Sequence, residues 1–282
     1  MYTVIDGKAL AQNMRIQLKK DVEAFTAAHG AIGLAVVLVG ENPASQVYVR
    51  NKIKACEETG ILSHAFYLPQ DTTQTQLEDL ITSLAEDKNI HGILVQLPLP
   101  KGLDSEKALK LIPYEKDVDG FCAENIGKLA MGQETLVACT PYGVMKMLES
   151  QNIPLSGKRA VVIGRSNIVG KPMSMLLTNA DATVTVCHSK TQNLKEICLQ
   201  ADVVVAAIGR AKFVTADMIK EGAVVIDVGM NRDENGKLCG DVDYENVKEK
   251  ASYITPVPGG VGPMTITMLM YNAYIAATRS VK

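Results

Sequence analysis

The chain has 282 residues, 29 basic and 31 acidic side chains, a formal net charge of -2 and 47% hydrophobic residues. That composition is globular, which excludes intrinsic disorder. The balance of charge excludes a global pull toward nucleic acid or an anionic membrane. At roughly 100–200 residues per domain, two domains are the default.

The pattern alternates short apolar runs with helical periods, which reads as α/β. Asp6 can cap a first helix with Leu10, Met14, Leu18, Val22 and Phe25 on one face, ending near Gly30. Residues 33–40, GLAVVLVG, read as a strand buried on both faces. Asn42 and Pro43 then supply an N-cap and a first-turn proline for a helix that runs to Gly60. A short strand over 64–68, a helix over 73–88 and a strand over 92–98 follow. That last strand ends in Pro-Leu-Pro, which cannot continue a ladder.

A long irregular stretch carries KDVDGF at 116–121. Thr140 and Pro141 repeat the cap-plus-proline signal for a helix to about residue 151, and 152–158 reads as a linker. Strands over 159–163, 183–187, 203–208 and 224–228 are regular, with helical segments between them. The last helix, 264–279, has Pro263 as its capping proline and is expected to pack back on the first domain. No apolar run reaches the ~20 residues that span a bilayer. The N-terminus lacks the basic segment and apolar core of a secretory signal.

Cys56, Cys122, Cys139, Cys187, Cys198 and Cys239 are scattered without a Cys-x-x-Cys, and the four histidines give no metal spacing. Each cysteine is read as a small buried hydrophobe. The expectation is a soluble cytoplasmic protein without a metal.

The strand at 159–163 runs into Gly164, Arg165 and Ser166, then Gly170 and Pro172. A buried strand, a glycine turn and a helix are the context of a dinucleotide phosphate loop. Glycine lets the backbone approach the pyrophosphate, whose charge meets the helix N-terminus. The spacing is G-x-S-x-x-x-G rather than G-x-G-x-x-G, so the context carries the reading, helped by Gly209 and Gly229 at the ends of later strands. An empty flavodoxin-like sheet is the alternative. NAD-binding proteins place an acidic residue about 20 positions on, at the ribose 2′-hydroxyl. Here CHSK stands at 187–190, without a carboxylate. Arg165 could face a 2′-phosphate with its planar fork of donors and Ser189 could add a hydrogen bond, which favours NADP. The plainer reading of Arg165 is a solvated loop arginine.

Ser45, Tyr48 and Lys52 share one face of the helix opened by Pro43. A tyrosine one turn from a lysine suggests acid–base chemistry, although the pair is also common on helices without function. An ammonium becomes a useful base near neutrality only when burial or a cationic neighbour lowers its pKa. Tyr-x-x-x-Lys is also the active-site pair of short-chain dehydrogenases. There it lies downstream of the glycine loop, and here it lies more than a hundred residues upstream, which argues against that family. Gln96 interrupts an apolar strand near its carboxyl end, where open sheets bind ligands. It reads either as a ligand contact or as an edge-facing amide. Asp119, between Asp117 and Gly120, reads either as a site residue or as a turn-former.

YVRNKIKACEETG at 48–60, GILVQLP at 92–98, KDVDGF at 116–121, the Gly164 turn with Pro172, and PGGVGPMT at 258–265 occur in that order. Together they make the chain resemble the bifunctional methylenetetrahydrofolate dehydrogenase/methenyltetrahydrofolate cyclohydrolase family over essentially its whole length. The length leads us to expect the two-activity form, without the synthetase domain of trifunctional relatives. Two small departures are Met230, where isoleucine is common, and 135–138, which is looser than the usual proline-rich lead into Thr140.

The resemblance implies two α/β domains with an active-site cleft between them. Residues 1–140 would form a folate-binding catalytic domain completed by the helix at 264–282, and 141–263 a Rossmann-type NADP-binding domain. It implies Lys52 as the key cyclohydrolase residue, Tyr48 ordering folate and lysine, Gln96 hydrogen-bonding Lys52 and tuning its protonation, and Asp119 holding the pterin. Ser45, Leu97 and Pro98 join the substrate set, with Pro258, Gly259, Gly260 and Val261 lining the folate pocket. NADP falls to Gly164, Arg165, Ser166, Ile168, Ser189, Thr140 and Gly209, with backbone contacts near Met230 and Thr255. The implied assembly is a homodimer, with the sheet edge near 190–194 and 211–213 as a candidate for two-fold pairing. The implied partners are folate one-carbon derivatives, with no nucleic acid and no membrane. The competing functions are an NADP-dependent dehydrogenase of a small acid, like shikimate dehydrogenase, and an inactive NADP-sensing module.

Overall fold

A computed structural model describes residues 1–281, and Lys282, the end of the segment expected to close the first domain, lies outside the described residues. In chain order the elements are β1 (Thr3–Val4), α1 (Gly7–His29), β2 (Gly33–Val39), α2 (Pro43–Thr59), β3 (Leu62–Leu68), α3 (Gln74–Glu86), β4 (Ile90–Val95), α4 (Ser105–Lys110), α5 (Ala123–Ala130) and α6 (Cys139–Ser150). There follow β5 (Arg159–Ile163), α7 (Gly170–Asn179), β6 (Thr183–Cys187), α8 (Leu194–Cys198), β7 (Val203–Ala206), β8 (Val224–Asp227), β9 (Asn231–Arg232), β10 (Leu238–Cys239), α9 (Tyr244–Val247), β11 (Tyr253–Ile254) and α10 (Val261–Ser280).

The chain divides into two compact units, one made of residues 1–12 with 140–265 and the other of 13–139 with 266–282. In the second of these, a parallel sheet runs in the order β3-β2-β4. All seven residues of the middle strand β2 are buried, as its unbroken apolar run dictates. Its Val37 shares one core cluster with Leu77 and Ile81 of α3 and Ile93 of β4. The helix α3 starts on a capping box in which Thr73 and Gln76 satisfy each other's backbone N–H. Asn272 on α10 is fully buried, and its amide donates to Val118 O and Val137 O, each at 2.8 Å. It satisfies two carbonyls whose burial would otherwise cost ~1–3 kcal/mol each.

The other unit holds a six-stranded sheet in the order β1-β11-β8-β7-β5-β6, with every pairing parallel. Its first strand by sequence, apart from β1, is β5. The chain moves to one side for β6 and to the other for β7, which makes a topological switch point at the carboxyl end of β5. Val161, Ile163, Val204, Val225 and Ile254 fill the core.

Several expectations require correction. Residues 1–12 group with 140–265 rather than with the first domain: β1 pairs in parallel with β11 through Thr3–Tyr253 and Val4–Ile254, and the first turns of α1 follow it. The stretch expected to be irregular contains α4, capped by Asp104, and α5, capped by the Cys122 thiol. Thr140 is not a cap, since α6 already begins at Cys139, and α10 begins at Val261 with Pro263 inside its first turn. Cys122 and Cys239 are only half-buried, unlike the other four thiols. Asn235-Gly236 turns an antiparallel β9–β10 hairpin that the sequence reading passed over.

Candidate functional site

The helix α2 is set by its ends. Asn42 Oδ1 accepts from Ala44 N–H at 3.0 Å and Ser45 N–H at 3.1 Å, and Gly60 takes the left-handed conformation at φ 80° that closes the helix. Val49, Ala55 and Cys56 face the core. Tyr48 is 39% exposed and Lys52 half-buried. Ser45, grouped with them by sequence, is buried instead. At about 100° per residue it lies closer to Val49 than to Tyr48, so it turns inward with the apolar side.

Lys52 Nζ donates to Gln96 Oε1 at 2.9 Å. Gln96 follows β4 immediately, at the carboxyl edge of the sheet, where its own N–H continues the ladder to Val37 O at 2.8 Å. Its amide nitrogen donates to Leu97 O at 2.6 Å, so the amide cannot turn over and its carbonyl end stays on the lysine. The Leu97–Pro98 bond is cis, and Pro98 is exposed.

Asp119 comes from a loop held by its backbone. Ile93 N–H donates to Lys116 O at 2.8 Å, and Gly120 N–H closes the turn onto Asp117 O at 3.0 Å. Gly120 has φ 71°, and a Cβ there would lie 2.5 Å from Ala138 N, so no other residue fits the crossing. Val118 O receives both Asn272 and the Cys139 thiol, the latter at 3.2 Å. The two aspartates of this loop differ in their duties. Asp117 is buried and spends one oxygen on Cys122 N–H at 2.8 Å and the Asn125 amide at 3.1 Å. Asp119 lies in the field of Lys52. Desolvation pushes its carboxyl up to about 6, the lysine opposing that shift and Asp117 adding to it. The structure therefore brings Lys52, Gln96 and Asp119 together on one unit.

On the other unit, β5 is followed immediately by Gly164, with φ 124°. A Cβ at Gly164 would lie 2.2 Å from Ala207 O, and one at Gly170 would lie 2.2 Å from Gly164 O. Both glycines are therefore needed for the turn to pack at the switch point. Ser166 Oγ accepts from Val169 N–H at 3.2 Å and Gly170 N–H at 3.3 Å, capping α7 from inside the turn. Arg165, Ser166 and Ile168 are exposed. No acidic side chain pairs with Arg165 among the described residues. At the end of β6, His188 N–H donates to Thr191 Oγ1 at 2.8 Å and Ser189 is exposed, with no carboxylate beside them. This donor set, an open glycine turn with an unengaged guanidinium and no acid to repel an anion, fits a dinucleotide carrying a 2′-phosphate.

The remaining expected cofactor residues are placed as follows. Gly209 has φ 65° and Met230 is 47% exposed. Thr255 is fully buried, and its hydroxyl accepts from Asp227 N–H at 2.7 Å, which leaves only its backbone for a ligand. The Thr140 and Thr265 hydroxyls lie 3.0 Å apart. Pro258 follows a cis bond and is exposed, and Gly259 has φ 103°. Gly260 and Val261 are buried, with Gly260 O so close to Gly7 that a Cβ there would meet it at 2.0 Å. Sequence reasoning missed Asp227, Asp241 and Asn272, whose hydrogen bonds hold the loops that carry these residues. Buried carboxylates far apart in sequence leave no local pattern, and only Gly240-Asp241 after the hairpin offers a signal.

Residues 5–119 match the family described as tetrahydrofolate dehydrogenase/cyclohydrolase, catalytic domain, and residues 138–281 match its NAD(P)-binding domain. The bifunctional protein FolD of Burkholderia ambifaria is 60% identical over 277 residues, 98% of this chain and 97% of that protein. The crystal structure of the bifunctional FolD dehydrogenase/cyclohydrolase from Campylobacter jejuni superposes with a TM-score of 0.97 at 50% identity, covering 99% of each chain. The N5,N10-methylenetetrahydrofolate dehydrogenase-cyclohydrolase of Trypanosoma brucei, complexed with NADP cofactor and inhibitor, superposes with a TM-score of 0.95 at 40% identity, covering 100% of this chain and 99% of that one. With both domains matched and near-complete coverage at this identity, the chain belongs to the tetrahydrofolate dehydrogenase/cyclohydrolase family.

Proposed function

We propose that the chain is a bifunctional one-carbon enzyme. It oxidises 5,10-methylenetetrahydrofolate to the 5,10-methenyl compound with NADP+, then hydrolyses that product to 10-formyltetrahydrofolate. The observation that carries the reading is the Lys52–Gln96 hydrogen bond of 2.9 Å beside a carboxyl of raised pKa. Against a dehydrogenase of a small acid or a cofactor-sensing module stands the match of both domains to the tetrahydrofolate dehydrogenase/cyclohydrolase family.

Bound NADP+ supplies the hydride acceptor. The cation left on the substrate is delocalised over its two nitrogens, so the oxidation asks no strong acid of the protein. It asks for orientation, with the reacting atoms brought to ~3–3.5 Å. We assign Asp119 to the pterin N–H groups and Tyr48 to folate and Lys52. Leu97, Pro98 and the turn from Pro258 to Val261 are assigned to the folate. Arg165, Ser166 and Ser189 take the 2′-phosphate end of NADP. Gly164, Ile168, Thr140 and Gly209 take the rest, with backbone near Met230 and Thr255.

Hydrolysis begins with water adding to the bridge carbon and losing a proton. The bond from that carbon to N5 then breaks, N5 takes a proton, and the hydroxyl gives up its own as the formyl group forms. One proton leaves overall. Lys52 is the group placed to take and return these protons, with Gln96 holding its direction.

We also read the enzyme as a cytoplasmic homodimer. Its six cysteines are all free thiols, which suits a reducing compartment, and β6 is the outer strand of its sheet, open to pairing with a second copy. A monomeric mass by light scattering overturns the dimer, and recovery of the protein from cells with its thiols oxidised overturns the compartment.

Lys52→Met is expected to lower cyclohydrolase turnover by about 10²–10⁴-fold while hydride transfer stays measurable. Hydrolysis of the methenyl compound at the wild-type rate removes Lys52 from the role. For Arg165→Ala, loss of a charge-assisted contact worth ~1.5–3 kcal/mol raises KM for NADP+ by about 10–100-fold and leaves NAD+ nearly unchanged. Equal weakening of both cofactors removes the 2′-phosphate assignment. Because the raised pKa makes Asp119 an anion only above about 6, kcat/KM for methylenetetrahydrofolate is expected to fall as pH drops through that value. Asp119→Asn should flatten this limb of the pH profile. A limb that persists unchanged in the variant assigns the titration to another group.

A further inference from the structure

The nucleotide-binding unit buries two carboxylates that this mechanism leaves unused. Asp227 ends β8 and is 3% exposed, and Asp241 follows β10 and is 0% exposed. Asp241 Oδ2 accepts from Ile208 N–H at 2.6 Å and Gly209 N–H at 3.0 Å. Its Oδ1 accepts from Arg210 N–H at 2.8 Å and the Asn231 amide at 2.9 Å. Asp227 Oδ1 accepts from Gly229 N–H and Asp241 N–H, and its Oδ2 from Val242 N–H, each at 2.9 Å. The Asp227 N–H in turn reaches the buried Thr255 hydroxyl.

Glycine makes room for both groups. A Cβ at Gly229 would lie 2.3 Å from Asp241 Oδ1, and one at Gly240 would lie 1.8 Å from Asp227 Oδ2. Each carboxylate is thus seated against a glycine from the other's segment. The loops after β7 and β8 both end on these carboxylates, the loop after β11 meets the Asp227 main-chain N–H, and these are carboxyl ends of parallel strands, where such sheets bind their ligands. Gly209 donates to Asp241 directly, Thr255 accepts from Asp227, and Met230 lies between Gly229 and Asn231, which donate to one carboxylate each.

Two adjacent buried carboxylates are a poor way to gain stability alone. Burial pushes the Asp227 carboxyl up to about 7, its N–H donors opposing and the Asp241 charge adding to the rise. We propose that Asp227 and Asp241 are positioning residues for the dinucleotide, their carboxylates holding the loops after β7 and β8 in the arrangement that accepts NADP. The inference rests on the dehydrogenase reading, and the cyclohydrolase activity of the same chain provides its internal control.

The test is Asp241→Asn. Both oxygens of Asp241 only accept, whereas an amide accepts at one end and donates at the other. In either orientation two N–H donors face another N–H. The expected result is a rise of about tenfold or more in both KM for NADP+ and the Kd of NADPH by fluorescence titration, with cyclohydrolase turnover within about twofold of wild type. Thermal melts establish that the variant is folded. Should it not fold, Asn231→Ala removes one donor and keeps three backbone ones, with an expected rise of about threefold in the same two constants. Unchanged constants in the folded variant overturn the proposal, as does an equal loss of both activities. A wild-type protein that binds no NADPH overturns the dehydrogenase reading instead.

Discussion

Lys52 and Gln96 meet because two elements end in the right places. The Asn42 cap and the Gly60 stop set where α2 begins and ends, and thereby which of its residues look toward β4. The ladder bond from Gln96 N–H to Val37 O places the glutamine one residue beyond β4, at the sheet edge. Its amide then has a single orientation, with nitrogen on Leu97 O and oxygen on the lysine. A flexible ammonium is given one direction by a group that is itself immobile. Catalytic proton transfer depends on such geometry before it depends on acidity.

The second constraint is the contrast between neighbouring aspartates. Asp117 is consumed by Cys122 and Asn125 and makes the loop, while Asp119 is lifted by desolvation and left facing Lys52. Asn272 joins the same loop to the last helix through Val118 O. The pterin-holding role assigned to Asp119 thus draws on a residue more than 150 positions away, and the loop would be a poor platform without it.

In the nucleotide-binding unit, tight backbone crossings do the comparable work. Gly164, Gly170, Gly229 and Gly240 all sit where a Cβ would strike backbone or carboxylate. Around the switch point the side chains that remain are those that can bind: an exposed guanidinium and small hydroxyls. Ser166 is already engaged in capping α7, so its contribution to a ligand is shared with its structural task.

Much of this was legible in one dimension. The apolar run of β2, the Asn42-Pro43 start and Gly60 end of α2, and the strand-turn-helix around Gly164 are local patterns, governed by periodicity, capping and glycine conformation. The ordered motifs carried the family resemblance. What sequence could not decide was set by contacts between distant segments. The place of Thr3 and Val4 at the edge of the six-stranded sheet depends on pairing with β11. The roles of Asp227, Asp241 and Asn272 depend on which N–H and C=O groups are left without partners once the chain is folded. Local order arises from neighbours in sequence, whereas the satisfaction of a buried polar group is a property of the assembled core.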